Sequence, residues 1–131
     1  GVSMSLLEGF KPFNFNEGVP YVSVTSNGMT FNKSVIMKLD YPEHVILLID
    51  EKSKRIAVQA CPPDTSNAAP FYNKERKKNV LSVRWNGRDL LNTIQSIMNW
   101  DLTQCGYRID GILLKDDHAM LFDLNRASEL K

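Results

Sequence analysis

The stretch Tyr21–Ala60, YVSVTSNGMTFNKSVIMKLDYPEHVILLIDEKSKRIAVQA, limits the fold more than any other part of the chain. Val22 and Val24 alternate with Tyr21, Ser23 and Thr25, and Met29 and Phe31 repeat the pattern, which is the period-two signature of strands with one buried face. Asn27-Gly28 between them predicts a tight hairpin, because a type I′ turn needs positive φ at both central residues. Asn32 then stands where a helix N-cap belongs, its side chain able to accept from a first-turn amide. Val35, Ile36 and Leu39 give one apolar face to a short helix from about Lys33 to Leu39, which Pro42 closes. The apolar run HVILLID, the polar tetrad EKSK and the alternating RIAVQA predict a second hairpin.

A looser copy of this pattern occupies the second half. VLSVRW reads as a strand, and Asn86 stands before a longer helix whose stripe Leu90, Leu91, Ile94, Ile97 and Met98 runs to near Trp100. YRIDGILL, the turn KDDH and AMLFDL then predict a hairpin. Aligning the halves sets Phe31 with Trp85, Asn32 with Asn86, the turn Glu51 to Lys54 with Lys115 to His118, and Ile56 with Ala119. The expected organisation is a single domain over residues 1–131. It has an extended arm (1–20), unit one (21–60), a linker (61–79), unit two (80–124) and a polar, fraying tail (125–131). Prolines and glycines make the arm extended, and its Phe10, Phe13 and Phe15 are expected to pack on the body. Read instead as a stacking platform for single-stranded nucleic acid, the three lack interleaved basic residues beyond Lys11.

Length and charge narrow the function. With 131 residues and 43% hydrophobic content, the chain can bury a core without disulfides or metal. Sixteen Lys+Arg against fifteen Asp+Glu leave +1, so any basic surface is local. No apolar run nears the roughly 20 residues that span a bilayer, and the first residues lack the pattern of a secretory leader, so no membrane partner is expected. Two cysteines, Cys61 and Cys105, without metal-ligand spacing, fit a reducing cytoplasm.

No pattern for catalysis, a cofactor or a metal stands out. His44 and His118 are far apart and lack a ligand cluster, and Asp50-Glu51 and Asp116-Asp117 fall in hairpin turns, where acids serve local hydrogen bonding. Neither cysteine has a cationic neighbour in sequence to stabilise a thiolate. Trp85 and Trp100 bracket the second helix and are expected to complete the core there. The strongest charge feature is Lys74, Arg76, Lys77 and Lys78, which could neutralise phosphates or simply form a solvated loop. Lys33 and Arg88 near the two helix starts, and Arg84 on the strand before the second, would extend a basic face if the halves are related by symmetry.

The segment NGMTFNKSVIMKLDYPEHVILLIDEKSKRIAVQ resembles the AbrB/SpoVT-type swapped-hairpin module. That resemblance implies an α+β, β-rich fold, a small barrel made by two units that exchange hairpins. Here both lie in one chain, as in tandem-copy members similar to MraZ. It also implies a bacterial or phage regulator that binds DNA through basic residues of the hairpin and helix. The family usually carries proline at the position of Asn32, glycine at that of Asp40, and arginines at about those of Ile36 and Met37. The first unit therefore lacks the matching DNA-contacting arginines. The expectation is a non-catalytic, cytoplasmic nucleic-acid-binding regulator, with a protein-interaction module that keeps the barrel without DNA binding as the alternative. Its partner is thus DNA or protein, and it is a monomer or a homodimer.

Overall fold

The computed structural model describes residues 6–11, 18–74 and 81–130. The strands are β1 (Tyr21–Thr25), β2 (Gly28–Phe31), β3 (His44–Asp50), β4 (Arg55–Ala60), β5 (Ala69–Pro70), β6 (Val83–Trp85), β7 (Gly106–Leu114), β8 (Ala119–Asp123) and β9 (Ser128–Leu130). The helices are α1 (Lys33–Lys38) and α2 (Arg88–Met98). All pairings are antiparallel, in the order β5-β3-β4-β8-β7-β1-β2-β6, and the sheet curls into a half-barrel. The fold is therefore β-rich α+β.

Alternation along the strands decides what fills the barrel. Leu47, Val58, Met120 and Leu113 lie in one cross-strand row, and Ile49, Ile56 and Phe122 in another. Val58, Met120 and Phe122 are fully buried, and Leu47 and Leu113 pack against them. At the other end Phe31 is the hub. Its ring meets Phe71 at 5.3 Å, Trp85 at 5.0 Å and Phe122 at 5.8 Å, in edge or tilted geometry. Each such pair adds about 0.5–1.5 kcal/mol beyond its buried area.

Asn32 caps α1 as its sequence position predicts. Its Oδ1 accepts from the Val35 amide at 3.2 Å and the Tyr21 amide at 3.0 Å, and its Nδ2 donates to the Val19 carbonyl at 2.8 Å. The same side chain thus starts the helix, ends the β1–β2 ladder and ties down the arm. The helix stops because Asp40 and Tyr41 are both left-handed, at φ 61° and 54°. The Tyr41 amide donates to the Ile36 carbonyl at 2.9 Å, and Pro42 comes after a stop already made. In the EKSK turn, hydrogen bonds from the Ser53 hydroxyl and from the Ser53 and Lys52 amides hold the Asp50 carboxyl below its ordinary range.

Several expectations are corrected. The β1–β2 turn is centred on Ser26-Asn27, since Thr25 pairs with Gly28, and only Gly28 of Asn27-Gly28 has positive φ. Gly28 instead lets β6 approach: a Cβ there would sit 2.6 Å from the Trp85 carbonyl oxygen. Asn86 does not cap α2, whose N-cap is Gly87 with no side-chain bond. The linker contains β5, and β6 is shorter than VLSVRW. The tail forms β9, because β8 covers only Gly111–Leu114 of the long β7 and leaves the edge at Gly106–Arg108 to be paired. Phe10 is 74% exposed instead of packed on the body, while Phe13 and Phe15 lie outside the described residues. Trp85 and Trp100 do join the core margin, the latter stacked on Tyr107 at 3.8 Å.

Candidate functional site

The half-barrel ends at two short strands, β5 and β6, and hydrogen-bond alternation shows which groups face the seam between them. The Asn32 amide donates to the Tyr21 carbonyl at 3.1 Å, so Tyr21 and Asn32 form a hydrogen-bonded pair. Such pairs recur at every second residue of an antiparallel ladder. Ser23 with Thr30 is therefore the next, and Met29 and Phe31 point their amides and carbonyls to β6, opposite Trp85 and Val83. Arg84 between them directs its own amide and carbonyl away from β2, into the seam.

On the facing side, the Phe71 amide donates to the Glu43 carbonyl at 2.8 Å, which turns Pro70 outward by the same alternation. Proline has no amide hydrogen to offer. Its carbonyl accepts instead from the indole Nε1 of Trp85 at 3.1 Å, a side chain spanning where a ladder would run.

Beneath this bridge lies a cavity of about 640 Å³. Its walls come from β3 (Leu47), from the end of β5 and its exit (Pro70, Phe71, Tyr72), from β6 and its approach (Leu81, Val83, Trp85) and from the first turn of α2 (Leu90). The walls are mainly apolar, and the size is that of sites that bury a drug-sized molecule or a few side chains. Arg84 also lines it, its Nε donating to Thr30 Oγ1 at 3.2 Å.

The basic residues singled out in the sequence divide around this cavity. Arg84 is in the lining, Lys74 is next in sequence to the lining residue Asn73, and Arg88 to the lining residue Gly87. All three are exposed. Lys74 Nζ pairs with Glu43 at 3.3 Å, and among the described residues no carboxylate pairs with Arg84 or Arg88. Lys33 is exposed at the start of α1, away from the walls of this cavity. Arg76, Lys77 and Lys78 lie outside the described residues.

The structure also qualifies the reading of Cys61. His44, Glu43 and Lys74 share with it the walls of a second depression of about 300 Å³, so one cation distant in sequence, Lys74, borders the same depression as the thiol. The Cys61 amide donates to the His44 carbonyl at 3.1 Å, and the Lys74 ammonium is engaged by Glu43. Sequence reasoning missed the cavity itself. Its walls come from separate segments, and only the Pro70-Phe71-Tyr72 cluster inside an apparent loop carried a local signal. No family model, curated protein or solved structure matches the chain.

Proposed function

We propose that this chain is a non-catalytic, AbrB-like barrel of two units in one chain, and that it acts as a protein-interaction module without the family's DNA contacts. The observation that carries this reading is the open seam, an apolar cavity with Arg84 in its lining where, among the described residues, no pairing joins β5 to β6. The strand registers support the two-unit architecture. Leu47 pairs with Val58 in the first hairpin and Gly111 with Phe122 in the second. Carried along the ladders, that correspondence matches buried Val45 with Ile109, Ile56 with Met120 and Val58 with Phe122. Sequence alignment matches Ile56 with Ala119, one residue away, because only the ladder fixes register. The same correspondence relates the β3–β5 pairing to β7–β1, so Ala69 answers to Val22 and Pro70 to Ser23. Across the β2–β6 ladder Met29 pairs with Trp85 and Phe31 with Val83, about the central pair Thr30 and Arg84.

The departures from the family pattern favour interaction over DNA binding. Asp40, where the family has glycine, is left-handed at φ 61°, as a glycine position would be. Ile36, where the family has an arginine, is fully buried, so this helix presents a core residue in place of a phosphate contact. One observation favours a second reading as a nucleic-acid-binding regulator: Arg84 on β6 and Arg88 at the start of α2 are exposed and have no carboxylate partner among the described residues. A salt series with random duplex DNA separates the two. The interaction reading predicts no salt-dependent binding even at low ionic strength. A steep fall in affinity from low to physiological salt, flattened by neutralising Lys74, Arg76, Lys77 and Lys78, would establish the regulator instead.

A further inference from the structure

We propose that the seam between β5 and β6 receives an extended, acidic-flanked segment of a partner protein, which adds as a strand to the β6 edge and seats an apolar side chain in the cavity below. This rests on the interaction reading above and names the class of partner.

The backbone chemistry favours a strand. Among the described residues, β6 presents the amide and carbonyl of Arg84 with no ladder partner, because its other side is used by β2. β5 cannot supply that partner. In the corresponding hairpin Ser23 faces Thr30 and both donates and accepts, whereas Pro70, which answers to Ser23, has no donor. The Trp85 indole and its 3.1 Å bond to Pro70 cross the seam, so an entering strand exchanges that bond for a ladder.

Side chains set the chemistry of the occupant. An added strand points alternate residues to the barrel interior, and there the cavity of about 640 Å³ offers Leu47, Phe71, Leu81 and Leu90 as walls. The residues between them point outward toward Arg84, which no described carboxylate neutralises. Charge complementarity therefore selects acidic residues beside apolar ones.

The test uses the full chain, isotope-labelled for NMR. The probe is a capped peptide of the β1 sequence YVSVT with a glutamate at each end, together with a pool in which its two valines are varied among apolar residues. Strand addition predicts saturable amide shifts confined to Ser82–Trp85 and the residues flanking Pro70. N-methylation of the probe's serine, which faces Arg84, should weaken binding at least about ten-fold by removing the main-chain donor. Arg84→Glu should weaken it about five-fold, with the fold intact by its spectrum. No shift at these residues up to millimolar probe and pool, or equal binding of the N-methylated probe, overturns the proposal. If random duplex DNA is also silent in the same sample, strand addition alone has failed. If DNA binds at Arg84 and Arg88, the interaction reading has failed with it.

Discussion

Asn32 shows how much one side chain can organise. It accepts from the first turn of α1 and from Tyr21 at the end of a ladder, and it donates to Val19 of the arm. Removing all three bonds leaves partly buried backbone groups unpaired, a loss larger than that of an ordinary cap. Asn32→Ala is therefore expected to destabilise the protein by about 2 kcal/mol in urea unfolding, and Asn32→Asp by less, because the acceptor survives. The capping role was visible in the sequence, since it depends only on the residues of the next turn. The bonds to Tyr21 and Val19 were not, because they depend on the strand returning beside the arm.

At the scale of elements, the approach of β6 to the first hairpin is permitted by Gly28. A Cβ there would strike the Trp85 carbonyl, and φ of 137° is unfavourable for any other residue. Gly28→Ala should cost about 3 kcal/mol and broaden the NMR signals of β6 before those of β3 and β4. The strands with strong alternation were legible at their boundaries: HVILLID and RIAVQA are β3 and β4 residue for residue. The elements that were misread are short or are set by a distant edge. β5 has two residues and includes a proline. β9 exists only because β7 outruns β8, a fact of lengths in space that no local pattern records. The β1–β2 turn moved by one residue for a similar reason, Gly28 being required by β6 more than by the turn.

For the whole molecule, hydrophobic periodicity led to the strands and helices of a β-rich α+β fold, and of the candidate cations Arg84 lies in the lining of one feature. The feature itself, an apolar cavity under a proline-blocked seam, was not legible, since its walls come together only when the sheet curls. The central claim is that pairing stops between β5 and β6 because Pro70 cannot complete it, leaving the edge of Arg84 open. Amide hydrogen exchange read residue by residue in the free protein tests this directly. The account predicts that the Arg84 amide exchanges within roughly ten-fold of an unstructured peptide, while Ser23 and Thr30, a hydrogen-bonded pair in the corresponding hairpin, are slower by about a thousand-fold or more. An Arg84 amide as protected as that of Thr30 would mean that the barrel is closed and the account is wrong.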